Sequence, residues 1–149
     1  MKLVTLVVLL GLLVGCGAES SIGLADGSST KLSHWEGRWL IVNYWAEWCA
    51  PCRAEIPELN ALHKERASTG IVVLGVNYDG LVGDKLEEVT ERMGIEFPVL
   101  VDDPRERWGY DLPAVLPSTV LIDPEGNLHR QLQGPQTAEA LTDIITGSE

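Results

Sequence analysis

One stretch limits what this chain can fold into more than any other: Trp45-Ala46-Glu47-Trp48-Cys49-Ala50-Pro51-Cys52-Arg53. Two cysteines stand three positions apart, with Ala50 and Pro51 between them. The apolar run from Trp39 to Trp45 leads into them, and residues 54–64 read as a helix. The motif therefore falls at a strand-to-helix junction. Free backbone N–H groups and the helix dipole favour negative charge there. The thiolate is the reactive form of cysteine, and this location lowers its pKa. A mixed disulfide formed at one sulfur can be resolved by the other. Cys49, at the exposed N-terminal end, reads as the nucleophile. Cys52, inside the first turn and more buried, reads as the resolving thiol.

A C-x-x-C pair can also be half of a zinc site. That reading needs two further ligands. The remaining cysteine is Cys16, and His34, His63 and His129 show no second paired spacing, so no metal is expected. A purely structural disulfide is a poor alternative, because closing so small a loop removes little chain entropy. No cofactor is expected beyond a redox-active Cys49–Cys52 disulfide.

The N-terminus reads as a targeting segment. Lys2 supplies a positive start, and residues 3–14 form an apolar stretch too short for an ordinary spanning helix. It ends in Leu13-Val14-Gly15-Cys16, which resembles the bacterial lipoprotein signal. That resemblance implies a signal peptide over 1–15, lipid on Cys16 and attachment to a membrane. A simple secretory signal and an uncleaved anchor remain the alternatives. Gly17 is not a retention aspartate, so in a Gram-negative cell the outer membrane, facing the periplasm, is preferred. Otherwise the chain belongs on the outer surface of the cytoplasmic membrane. Residues 16–30 are rich in Ser, Gly and Ala and read as a flexible tether. The remaining 31–147 are one domain's worth. The formal charge of −11, from 22 acids and 11 bases, argues against a nucleic-acid partner.

Within 31–147 the apolar patterning predicts strands at 39–45, 71–77, 97–101, 118–123 and 128–132. Helices are predicted at 49–67, 84–93, from 103 onward and at 137–146. Pro57 lies inside the first helix, and Trp35, Trp39, Trp45 and Trp108 read as core. The order β-α-β-α-β-α-β-β-α gives an α/β fold, a central mixed sheet flanked by helices.

Cys49 to Arg53 and Leu116-Pro117-Ser118-Thr119, with the closing hairpin and helix, resemble the thioredoxin fold. The extra strand–helix region over about 77–110 is similar to the TlpA/ResA branch of envelope thiol–disulfide oxidoreductases. The resemblance covers roughly 31–147. It implies that Pro117 is cis and lies against the dithiol, and that Leu116 offers its backbone to a substrate strand. It also implies that Glu55 sits near the dithiol and takes the proton from Cys52, if burial raises its pKa. The alternative for Glu55 is a solvated charge paired with Arg53 or Lys64. Asn43 stands where thioredoxin has a buried acid, and asparagine cannot shuttle a proton. Trp48 is expected to pack beside Cys49 and shape the docking surface with Ala50 and Pro51. Glu47 and Arg53 read as exposed charges.

The implied function is disulfide exchange with thiol- or disulfide-bearing envelope proteins, fed by a membrane electron donor. The Ala-Pro dipeptide resembles the reducing members, whose substrates include apocytochrome c. Two rivals stay open: a redox-silent binding or chaperone module, and a thiol peroxidase.

Overall fold

The computed structural model describes residues 21–147. The signal segment, Cys16 and the first part of the expected tether lie outside the described residues. No helix among those described is long and apolar enough to cross a membrane.

The sheet grows from two apolar runs. β3 (Trp39–Trp45) and β4 (Ile71–Asn77) pair in parallel from Trp39↔Ile71 to Trp45↔Asn77. They are buried almost throughout, as strands covered on both faces must be. β6 (Ser118–Ile122) lies antiparallel on the other side of β3, and β7 (Leu128–Gln133) returns along β6. The short β5 (Val99–Leu100) adds to β4, giving the order β5-β4-β3-β6-β7. The helices are α1 (Ala50–Lys64), α2 (Arg66–Thr69), α3 (Gly83–Arg92), α4 (Arg105–Trp108) and α5 (Ala138–Thr146). This is the mixed sheet flanked by helices that the patterning predicts, and α3 with β5 forms the extra segment.

Alternation along the strands sorts the layers. Ile41, Val73 and Leu121 pack with Leu59 and Leu62 of α1 and Leu141 of α5. On the same face Trp45 and Val99 pack with Cys52 of α1 and with Leu86 and Val89 of α3. Leu40, Val42, Tyr44, Leu74, Val76, Val120 and Ile122 form the opposite face. Trp35, from the 3₁₀ turn Leu32–Trp35, and Tyr110, from the connector after α4, cover it. Tyr44 ties that connector down. Its hydroxyl donates to Asp103 Oδ1 at 2.7 Å and lies 3.0 Å from the Tyr110 hydroxyl. Asp103 Oδ2 accepts from Arg105 at 2.7 Å.

Four expectations need correction. Residues 21–30 are not a free tether: β1 (Ile22–Gly23) and β2 (Ser29–Thr30) form a small hairpin that buries Ile22 and Ala25. Ala25 N–H donates to the Val99 carbonyl and Val101 N–H to that of Gly23, so the hairpin is stitched to the β5 edge. Small residues read as linker because they carry little apolar signal, yet the main-chain bonds need none. The first helix stops at Lys64 and restarts as α2, which ends on Gly70 at φ 70°. The strand expected over 97–101 is only Val99–Leu100. Trp39 and Trp108 are half-buried rather than core, because they lie at the end of the sheet far from the cysteines.

Gly75 allows the closest packing. A Cβ there would stand 3.0 Å from Val99 Cγ2, 3.1 Å from Phe97 Cε2 and 3.1 Å from Trp45 Nε1. Gly75→Ala is expected to lower the free energy of unfolding by about 2 kcal/mol, as overpacking does. Urea denaturation measures this, and an unchanged midpoint would contradict the packing.

Candidate active site

The end of β3 and the start of α1 build the site. Cys49 is the N-cap of α1, with φ −85° and ψ 99°. Its Sγ accepts a hydrogen bond from Cys52 N–H at 3.2 Å, as a serine or aspartate oxygen would at this position. Pro51 occupies the first turn, where a missing N–H costs nothing. Cys49 and Cys52 are joined in a disulfide with Cα atoms 5.3 Å apart.

The expected contrast in exposure is slight: Cys49 is 4% and Cys52 1% exposed, so both are buried in this oxidised state. What separates them is the cap. A thiolate at Cys49 would keep the N–H donor and sit at the positive end of α1. Cys52, one turn in, packs with Trp45, Leu86 and Val89.

The Leu116–Pro117 peptide is cis. Leu116 packs against the cluster that contains both cysteines, which places the proline loop beside the dithiol. The Leu116 backbone makes no hydrogen bond among the described residues. Ala50 and Pro51 are exposed on the same rim.

Glu55 is not a solvated helix charge. It is 2% exposed, three residues beyond Cys52 on the inward side of α1. Asn43 Nδ2 donates to its Oε2 at 3.0 Å, and Gln136 N–H donates to its Oε1 at 2.9 Å. The Thr119 hydroxyl lies 3.5 Å from Oε1. Burial raises the Glu55 pKa above the usual carboxylate value, and the donors from Gln136, Asn43 and Thr119 pull the other way. The strand position that holds an acid in thioredoxin thus holds an amide that supports Glu55.

Trp48 does not pack into the core. It is 66% exposed, and its indole N–H is 3.1 Å from both carboxylate oxygens of Asp79. Arg53 donates to the Glu47 carbonyl, while the Glu47 carboxylate is 3.0 Å from Arg92. Among the described residues no group of three His, Cys, Asp or Glu could hold a metal.

Sequence reasoning missed Thr119, Asp79 and the Gln136 amide. Thr119 was within reach of a register argument, since it stands opposite Asn43 across β3 and β6. The Asp79 and Gln136 contacts depend on loop paths that carry no periodic signal.

Fold and site together define a thioredoxin-like protein with a vicinal dithiol at a helix N-terminus. Residues 19–131 match the AhpC/TSA family, and the chain belongs to that family. It is 31% identical over 117 residues to the thiol-disulfide oxidoreductase ResA of Geobacillus thermodenitrificans, covering 76% of this chain. The chain spans 65% of that relative's length. A thiol:disulfide interchange protein of the thioredoxin family from Chlorobium tepidum superposes with a TM-score of 0.69 at 29% identity, covering 86% of this chain and 91% of that one. The exposed lipoprotein thioredoxin Etrx1 of Streptococcus pneumoniae superposes with a TM-score of 0.67 at 26% identity, covering 87% and 99%. These neighbours make the fold a thioredoxin fold.

Proposed function

We propose that the protein is a thiol–disulfide oxidoreductase working in the reducing direction on partner proteins outside the cytoplasm. The observation that carries this reading is the Cys49–Cys52 pair at the start of α1, with the unpaired Leu116 backbone beside it. In the reduced protein the Cys49 thiolate attacks one sulfur of a partner disulfide. That bond breaks, a mixed disulfide forms, and the departing partner thiolate takes a proton. Cys52 gives its proton to Glu55 and attacks the Cys49 sulfur. The mixed disulfide breaks, the second partner thiolate leaves, and two electrons have passed to the partner. A membrane dithiol donor returns the Cys49–Cys52 disulfide to the thiol state. Leu116 pairs with the partner's main chain, while Trp48, Ala50 and Pro51 form the contact rim. Thiols of apocytochrome c and other envelope proteins are candidate substrates.

Support comes from the names of the relatives, two of which specify disulfide exchange. The Val14-Gly15-Cys16 signal and the lipoprotein neighbour support an anchor at Cys16. Cys16→Ser is expected to abolish incorporation of labelled palmitate in a bacterial host. Equal labelling of the variant would remove the anchor from this reading.

The direct test is insulin reduction driven by dithiothreitol. Wild type should accelerate precipitation, and the Cys49→Ala/Cys52→Ala double variant should fall to the uncatalysed rate. A double variant as active as wild type would reject the enzyme in favour of a binding module. Rapid Cys49-dependent consumption of hydrogen peroxide without insulin reduction would favour a peroxidase.

A further inference from the structure

The dithiol stands at the end of the sheet where β3, β4 and β5 finish and β6 begins. Among the described residues six large apolar side chains are exposed. Five of them, Trp48, Tyr78, Val82, Leu112 and Val115, lie in the loops at this end. Four of these, Trp48, Tyr78, Leu112 and Val115, are tied to this end by neighbours or shared contacts. The Trp48 indole is bonded to Asp79, and its neighbour Tyr78 lines a cleft of about 260 Å³ together with Leu112. Val115 precedes Leu116, which touches the cluster of the two cysteines.

The charges around this rim are unbalanced. Arg92 is engaged by Glu47, Lys85 by Glu88 and Arg105 by Asp103. Asp79, Asp84, Asp102 and Asp111 stand in no ion pair among the described residues. Among the described residues, Arg107, which shares a cleft with Asp102, is paired with Glu36, and Arg53 is folded onto the Glu47 carbonyl. The chain's net charge of −11 adds potential of the same sign.

An apolar rim edged by unpaired carboxylates suits one kind of occupant. Lysine and arginine lay their stems along apolar surface and carry the charge to its edge. Opposite charge also speeds the encounter that precedes a chemical step. An acidic segment would bring like charges together and be rejected. We infer that this end of the molecule selects partners whose reactive cysteine lies in an apolar segment bearing lysine or arginine. This selectivity rests on the oxidoreductase reading and names the substrate class of that same site.

Three disulfide-bearing peptides of one sequence test it, with lysine, glutamine or glutamate flanking the cysteine. The full-length protein is reduced, freed of excess reductant and mixed with each. Its rate constants are divided by those of dithiothreitol, which removes the peptides' intrinsic reactivity. At low salt the lysine peptide should react about tenfold faster than the glutamine peptide, and the glutamate peptide slower still. At 0.5 M salt the three should converge, because such a Debye length is only a few ångströms. Asp102→Lys/Asp111→Lys, at two exposed loop positions, should lose the preference for lysine. Equal normalised rates, or a glutamate peptide that reacts fastest, overturn the selectivity and leave the enzyme standing. A neutral peptide as fast as the lysine one does the same, as does a salt-insensitive dimer of this chain that hides Trp48. Failure of all three peptides, with the protein fully reduced, rejects the oxidoreductase reading and the selectivity with it.

Discussion

Cys52→Ala should accumulate a mixed disulfide with its partners, and Cys49→Ala should accumulate almost none. The asymmetry follows from the cap. Cys49 Sγ receives the Cys52 N–H and sits at the N-terminus of α1, so its thiolate is the one the backbone stabilises. Without Cys52 the first exchange still proceeds, and the intramolecular release that would end it is gone. Placing the second thiol one helical turn away gives it an effective concentration that free thiols cannot match, on the order of 10⁵ M or more for well-oriented groups. The trapped adduct is therefore expected to persist for hours against millisecond-to-second turnover of the wild type. Non-reducing gels and mass spectrometry of the adduct read the outcome. Adducts on the Cys49→Ala variant and none on Cys52→Ala would show that the two sulfurs have the reverse roles.

Glu55→Gln should slow release of the mixed disulfide on the order of 10²-fold, the usual scale of a positioned general base. It should also change the pH dependence. Burial favours the neutral carboxyl, so the Glu55 pKa is raised above 4.5. Only the ionised form can take the proton from Cys52, so wild-type release should rise with pH through that raised value. In the glutamine variant the rise should wait for Cys52 to ionise unaided. Stability runs in the opposite sense. The contribution of Glu55 is fully present below its unfolded value near 4.5, and it is lost as pH climbs through the raised folded value. Glutamine keeps the shape without the charge, and the Asn43 amide can turn to meet it. The variant should match wild type in acid and be the more stable of the two above the folded value. Denaturation curves at several pH values, with stopped-flow release kinetics, test both halves. Identical pH profiles for the two proteins would remove Glu55 from the chemistry.

Much of this architecture was legible because apolar runs announce buried strands. Trp39–Trp45 and Ile71–Asn77 could be placed to the residue, since both faces of each strand are covered and every position must be apolar or paired. The motif cysteines could be found because their chemistry needs two thiols at a fixed spacing, whereas the cis Pro117 came only from the resemblance to the thioredoxin family. Glu55 was placed by helical spacing, yet its burial was not legible. That depends on Asn43 and Thr119, which arrive from two strands, and on a main-chain amide whose residue type is immaterial. Trp48 is exposed beside the motif, as a surface role needs, but the bond from its indole N–H to Asp79 of another loop left no signal in the sequence. The segment over 21–30 misled through composition, because main-chain bonds to Val99 and from Val101 hold it in place.

That hairpin also closes off a hazard. A five-stranded sheet has two borders, and a bare border is a template on which a neighbouring molecule can continue the hydrogen-bond ladder. Here the β5 border is already occupied by the chain's own residues 23–25. The opposite border, β7, presents Leu128-His129-Arg130-Gln131-Leu132-Gln133, mostly polar and exposed. A molecule crowded among copies of itself thus offers none of them an inviting seam along which to stack, and its reactive end stays open to visitors.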